Sequence, residues 1–316
     1  MDVLGIDVSK GDFHACLLQE KGQAKKSFSN AVAGYRQLAS WLKNRGASEV
    51  HACMEATGAY WLGLASAIHR SGATVSVVNP SRTALFARSQ LRRTKTDRVD
   101  AQMIAEFCKT QCPPPWSPPA PETLELRGLL TYRDQLVSER IGLKQIIKQV
   151  HVGKELHRLH AKQIKSLDTS IEAIEKQLRA LLRAHQTLAT QVASLTAVRG
   201  FGFITAVALV AKLPAERLRD GKAAAAYIGV TPRERQSGTS INGKPRICKT
   251  GNASLRRNLY MPAMVAIRFN PVLQSFAQRL KERGKPPKVI IIAVMRKLVV
   301  LAFNLLQHHA AQAMLS

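Results

Sequence analysis

Four carboxylates in the first hundred residues have the types and spacing that divalent-metal phosphoryl transfer requires. Asp7 lies in the apolar, β-branched run Val3–Val8, within Gly5-Ile6-Asp7, where an exposed loop accounts for it poorly. Glu55 closes a second apolar run that starts at Val50. Asp97 and Asp100 stand three apart on a helix, about 60° around its axis, and so share one face. Converging carboxylates repel one another unless cations sit between them. A pair of Mg²⁺ ions about 3.5–4 Å apart would satisfy them, activate a nucleophile and steady a leaving oxygen. The blander reading is that a lone acid is usually a solvated charge, and Asp97 also suits the positive end of a helix. Asp2, Asp12 and Glu106 are assigned to the surface. Arg92, Arg93, Lys95 and Arg98 flank the last two acids and suit a phosphate backbone held beside the metals.

A second kind of chemistry is available much later in the chain. Ser237 sits in Arg233-Glu234-Arg235-Gln236-Ser237-Gly238, and Gly238 and Gly243 bracket a segment read as a flexible loop. A serine there could attack a phosphodiester while guanidinium groups stabilise the developing charge. On type alone Ser237 competes with Thr239, Ser240, Thr250 and Ser254, and most such hydroxyls simply hydrogen-bond turns. No histidine lies between His185 and His308, so a Ser/His/Asp constellation is absent from this stretch. Tyr260 is another hydroxyl by type, but within the apolar Leu259–Ile267 it is expected in the core.

The elements that must position these groups can be read from periodicity. Val3–Val8 and Phe13–Leu18 form a hairpin over the turn Gly11-Asp12, with Lys25–Ser29 as a third strand. Asn30 is expected to cap a helix carrying Tyr35, Leu38, Trp41 and Leu42 at helical spacing. Strand Val50–Met54, helix Trp61–Ile68 and strand Thr74–Val78 follow. Two further helices come next, the second starting near Thr96. This order predicts a mixed sheet with an initial meander and parallel crossovers. The strands bearing Asp7 and Glu55 would then be neighbours.

Six prolines between Pro113 and Pro121 end the first domain with a stiff linker. Beyond it, Leu167, Ile171, Ile174, Leu178 and Leu181 step by 4, 3, 4, 3, a heptad seam, and Gly153 divides the helical run in two. A hairpin packed within the chain and an arm that pairs with another protomer both satisfy this pattern. Val198-Arg199-Gly200-Phe201-Gly202-Phe203 leads into the helix Ile204–Leu213, as a phosphate-gripping helix-hairpin-helix element or as a plain tight turn. The final helix, Val289–Leu306, is expected as buried packing. Arg296 and Lys297 interrupt it and argue against a membrane span.

The chain has 316 residues, enough for about two domains. Its apolar fraction of 46% excludes global disorder. Five scattered cysteines speak against a secreted disulfide scaffold, and Cys108 and Cys112 lack the second pair that a zinc site needs. The net charge is +26. It is unevenly spread: residues 195–316 carry 20 basic and 4 acidic residues, a surplus of 16. Such a surplus repels itself unless a polyanion balances it, which makes nucleic acid the expected partner. Arg199, Arg233, Arg235, Lys244, Arg246, Lys249, Arg256 and Arg257 are the cations expected to hold it.

Taken together, these residues resemble the DEDD-type insertion-sequence transposases. Gly5-Ile6-Asp7-Val8-Ser9-Lys10, Glu55-Ala56-Thr57-Gly58 and Lys95-Thr96-Asp97-Arg98-Val99-Asp100-Ala101 are similar to that family's N-terminal motifs. Gly229-Val230-Thr231-Pro232-Arg233, Gln236-Ser237-Gly238, Lys249-Thr250-Gly251-Asn252 and Leu255-Arg256-Arg257 are similar to its C-terminal ones. The resemblance implies an α/β ribonuclease H (RuvC-like) fold for residues 1–112 and a Pro-rich linker over 113–121. The heptad seam makes 122–190 a helical coiled-coil arm, and the C-terminal motifs place a transposase domain over 195–308, read as mostly α with a helix-hairpin-helix-like element. The resemblance makes Asp7, Glu55, Asp97 and Asp100 a tetrad for Mg²⁺, or Mn²⁺ in its place, and Ser237 the nucleophile of a covalent phosphoserine link to DNA. The partners it implies are a structured non-coding bridge RNA that guides the enzyme, and target and donor double-stranded DNA. A homodimer pairing into a tetramer, working on the bacterial nucleoid in the cytoplasm, belongs to the same expectation. The competing readings are a junction-resolving endonuclease that uses the carboxylates alone, and a non-enzymatic nucleic-acid-binding protein.

Overall fold

The computed structural model describes the chain apart from residues 21, 59, 91–96, 150–152, 238–240, 249 and 316; for 97, 98, 148, 149, 234–237, 241–245 and 310–315 it describes the backbone alone. The chain divides into two compact units, Met1–Pro119 and Ala120–Ser316.

In the first unit, β1 (Asp2–Val8), β2 (Asp12–Gln19) and β3 (Gly22–Ser29) form the expected meander, followed by α1 (Val32–Asn44), β4 (Val50–Glu55), α2 (Trp61–Arg70), β5 (Thr74–Val78), α3 (Pro80–Ser89) and α4 (Asp97–Gln111). The sheet order is β3-β2-β1-β4-β5, with β1 antiparallel to β2 and parallel to β4. This arrangement fits a ribonuclease H-like domain. The two faces of the sheet follow the twofold side-chain period of a strand. Leu4, Ile6 and Val8 pack with Leu38, Trp41 and Leu64 on one side. Val3 and Cys53 pack with Met103, Ile104, Phe107 and Cys108 of α4 on the other. Cys108 is thus buried in this second cluster whereas Cys112 is exposed, so the C-x₃-C pair does not face a common point. Asn30 is not a helix cap. Ala31 holds that position, while the Asn30 amide donates to the Ser9 and Tyr60 carbonyls and accepts from Tyr35 Oη at 2.8 Å.

The second unit opens with two long helices, α5 (Pro121–Gln149) and α6 (Lys154–Ala184). Arg133 pairs with Glu175 at 2.7 Å and Arg140 with Asp168 at 2.5 Å, so the two helices run antiparallel within one chain. Next come α7 (Gln186–Thr196), α8 (Phe203–Lys212), α9 (Gly221–Ile228), β6 (Pro232–Ser237), β7 (Ile241–Ile247), α10 (Ala253–Asn258), α11 (Tyr260–Phe269), α12 (Pro271–Glu282) and α13 (Pro287–Leu315). By length and composition α13 could cross a membrane, yet Val294, Leu298, Val299 and Ala302 are fully buried in the core of this unit. In the turn before α8, Gly200 has φ +122°, and a Cβ there would lie 2.8 Å from the Ala266 methyl of α11. Close packing therefore accounts for that glycine.

Candidate active site

The acidic edge is built by register and one close approach. The β1–β4 ladder pairs Gly5 with Cys53 and Ile6 with Met54, so Asp7 and Glu55 are the next residues at the same end. By strand parity both belong to the face that α4 covers. A Cβ on Gly5 would sit 2.2 Å from the Ala101 carbonyl oxygen and 2.3 Å from the Ala105 nitrogen. Only glycine lets the helix backbone rest on the strand at this point. Val3 shares its cluster with Phe107 and Cys108, farther along α4, so the helix runs back along β1. From Gly5, Asp7 lies about 7 Å along the strand, and Asp97 precedes Ala101 by about 6 Å of helix in the same direction. Asp100 falls one turn before Ile104, on the sheet-facing stripe. Asp7, Glu55 and Asp100 are half-buried.

Glu55 has a fixed partner that sequence reasoning missed. Thr83 Oγ1, fully buried on α3, lies 2.5 Å from Glu55 Oε1 and 2.8 Å from the Pro80 carbonyl oxygen. Asn79 caps α3 by accepting from the Ser81 N–H at 2.8 Å, and Pro80 occupies the first turn. The Asn-Pro pair followed by a threonine one turn later is the signal that could have pointed to it. Among the described residues no three His, Cys, Asp or Glu side chains stand together as a metal site. The Asp97 side chain is outside that description, as are Arg92, Arg93 and Lys95 entirely and Arg98 beyond its backbone. Half-buried carboxylates on adjoining elements are the hard oxygen donors that Mg²⁺ or Mn²⁺ takes.

Ser237 lies in a strand, not in the loop expected for it. It ends β6 and pairs with Ile241 across an antiparallel ribbon, and residues 238–240 between them lie outside the described set. The pairing shifts register between Arg233 and Arg235, opposite Pro245, which has no N–H to give the ladder. The alternation Arg-Glu-Arg-Gln-Ser carries too little apolar character to have announced a strand.

The base of the ribbon is anchored to the helical core. Gly229 ends α9 with φ +80°, the left-handed cap that glycine favours. A Cβ on Gly251 would lie 2.4 Å from the Tyr227 carbonyl oxygen. The Cys248 N–H donates to the Thr231 carbonyl at 2.9 Å, and the Asn252 side chain caps α10 through the Leu255 N–H at 3.0 Å. Arg256 donates to the Ile228 carbonyl at 2.9 Å, so it ties α10, which follows the ribbon, to α9, which precedes it. Behind α10, Ser254 Oγ lies 3.2 Å from Lys212 Nζ and 3.3 Å from Asp134 Oδ2. Lys212 and Arg257 each approach that carboxylate to 3.8 Å. Burial holds the Lys212 ammonium below its usual range, with Asp134 opposing the shift. Ser254 is therefore engaged within a network that joins α5, α8 and α10. Arg199, Arg233, Arg246 and Arg257 are exposed; Arg235 and Lys244 are described by backbone alone, and Lys249 not at all.

The same two stretches are matched by two family models, both described as transposases. One, a DEDD transposase model of IS110 elements, covers residues 4–152; the other, the transposase IS116/IS110/IS902 family, covers residues 192–278. A protein named pilin gene-inverting protein in Moraxella lacunata is 30% identical over 311 residues, 97% of this chain and 96% of the relative. The chain belongs to the IS110 family of transposases. The pilin gene-inverting protein of Moraxella bovis is similar to it to the same extent. A transposase for insertion sequence element IS1111A from Coxiella burnetii is 24% identical, with 84% of this chain and 78% of the relative covered. Within the IS110 chain, the first matched range holds all four carboxylates and the second holds the Ser237 ribbon with its anchoring residues.

Proposed function

We propose that this chain is a recombinase of an insertion sequence that cuts and rejoins DNA through a covalent phosphoserine link at Ser237. The Ser237 oxygen attacks a scissile phosphorus, the DNA hydroxyl leaves, and a free DNA hydroxyl later reverses the step on a new partner strand. The bond energy of the phosphodiester is conserved throughout, so joining needs no external energy source. The observation that carries this reading is Asp7 and Glu55 ending adjacent parallel strands, with α4 seated on Gly5 so that Asp97 and Asp100 approach the same edge.

Asp7, Glu55, Asp97 and Asp100 would hold Mg²⁺ or Mn²⁺, which supplies Lewis-acid stabilisation of the reacting phosphate. The chain's own residues orient that group: Thr83 fixes the Glu55 carboxylate, and the ribbon base fixes the backbone that carries Ser237. No histidine stands near Ser237 in sequence, so its activation falls to the acidic site. The two sites then act on one phosphate, with the acidic edge of one protomer meeting the serine ribbon of another in a dimer that pairs into a tetramer. The surplus of 16 positive charges over residues 195–316 supports a nucleic-acid load beyond one duplex, and a structured guide RNA together with target and donor DNA fits it. Action on chromosomal DNA places the protein in the cytoplasm.

The decisive experiment is to incubate protein, guide RNA, Mg²⁺ and DNA, denature, and search for a protein–DNA adduct. Phosphoserine at position 237 by peptide mass, lost in Ser237→Ala, is the expected result. Free DNA ends without an adduct would leave an endonuclease that uses the carboxylates alone.

A further inference from the structure

Tyr260, expected in the core, is 41% exposed. It opens α11 where two cavities of about 1280 and 560 Å³ adjoin, and it lines both together with Ile247 and Ile292. The larger cavity has an apolar floor that includes Phe276, Val289 and Ile292. Its rim carries Arg246, Lys288, Arg296 and Lys297, and Lys297 Nζ stands 5.3 Å over the Phe276 ring. Arg256 and Arg257 stand at the far side of Tyr260, in the smaller cavity. Asp220 is the acid lining the larger cavity among the described residues. It is engaged elsewhere, accepting the Ala223 N–H at 2.7 Å and facing Arg219 at 3.5 Å.

An exposed aromatic ring between two sets of cations suits a ligand that is flat and apolar in one part and anionic in another. We propose that this groove holds an unpaired nucleotide of the DNA strand that Ser237 attacks, with the base stacked on Tyr260 and flanking phosphates on Arg246 and Arg296. Intact duplex would use the cations and leave the aromatic floor empty, because its bases are already stacked. A second copy of this chain would bring like charge, since its last third is itself strongly basic. The choice of DNA rests on the reading of Ser237 given above. Pro232, Arg246 and Ile247 line the groove from the base of the same ribbon, and Ser237 lies four residues beyond Arg233, about 13 Å along β6. A strand whose phosphate reaches Ser237 has its neighbouring nucleotides within reach of Tyr260.

The test uses full-length Ser237→Ala protein, which can form no serine adduct, and a short single-stranded DNA with one central 2-aminopurine. Stacking on Tyr260 quenches that fluorophore. Tyr260→Ala is expected to abolish the quench and weaken single-strand binding about tenfold, the size of one base–aromatic stack, while duplex affinity stays within about twofold. Tyr260→Phe restores both, and unchanged circular dichroism excludes misfolding. Arg296→Gln lowers the salt slope of single-strand binding by about one. An undiminished quench in Tyr260→Ala overturns the proposal. So does a quench seen only with the ribonucleotide version, or a Tyr260→Ala effect confined to oligomeric state in sedimentation. Because no covalent step enters this assay, a quench that depends on Tyr260 upholds the groove even where the Ser237 adduct is not found.

Discussion

The acidic edge and the serine ribbon are built on opposite plans. Two of the carboxylates lie on adjacent strands of a sheet with helices on both faces and two on the helix α4 packed against it, at positions set by ladder register and by one glycine contact between α4 and β1. The serine ends a two-stranded ribbon whose base is gathered onto its helical unit by Gly229, Gly251 and Arg256. Groups that must share multivalent cations need mutual distances fixed closely, and a packed sheet provides that. Under the proposed function, a nucleophile that must meet a phosphate on a bulky substrate gains from a narrow two-stranded support. The difference teaches that this chain separates precision from reach and gives each to a different unit.

Substitutions can break or sharpen that contrast. The largest loss is expected from Asp7→Asn, about a thousandfold in strand joining, matched in the unaltered protein by chelation of divalent metal and reversed by adding Mn²⁺. Quantifying joined product under each condition decides it. Gly5→Ala strikes the geometry of the same edge without touching a ligand. Its methyl would meet helix backbone, and thermal unfolding should show about 3 kcal/mol lost from the first unit. On the other plan, Asp134→Ala leaves Lys212 and Arg257 without their carboxylate. Denaturant titration of the second unit should register about 2 kcal/mol, with single-strand affinity rising because an acid is removed. The smallest effect belongs to Thr83→Val, which frees the Glu55 carboxylate. About tenfold weaker Mn²⁺ binding by calorimetry is expected, with Thr83→Ser restoring it.

Most of the first unit was legible because its signals are local. The apolar strand runs, the Gly11-Asp12 turn and the parallel crossovers are written within short windows, and strand parity alone sends Asp7 and Glu55 to one face. Asn30 misled because its amide has a tertiary alternative, bridging the turn at Ser9 and the start of α2, which outweighs a local cap. The ribbon escaped notice for a related reason. Its strands alternate charged and polar residues, and what makes them strands is the anchoring of their bases by residues far apart in the chain, such as Tyr227 with Gly251 and Ile228 with Arg256. Tyr260 was misjudged because its neighbours in sequence are apolar, yet the helix α11 turns Met261, Met264 and Phe269 outward as well. Helical periodicity predicts that a face is apolar and leaves open what covers it.

A lone two-stranded ribbon has two outer edges, each a row of backbone groups on which a foreign strand could add itself. In this molecule both edges are spoiled for that purpose: Pro232 opens one strand, Pro245 and its register shift interrupt the other, and each strand carries two basic residues, Arg233 and Arg235 on one and Lys244 and Arg246 on the other. Edge-to-edge pairing of ribbons from separate copies is thereby disfavoured, and under the proposed function the cations that deter another polypeptide are the ones that would meet a phosphate chain.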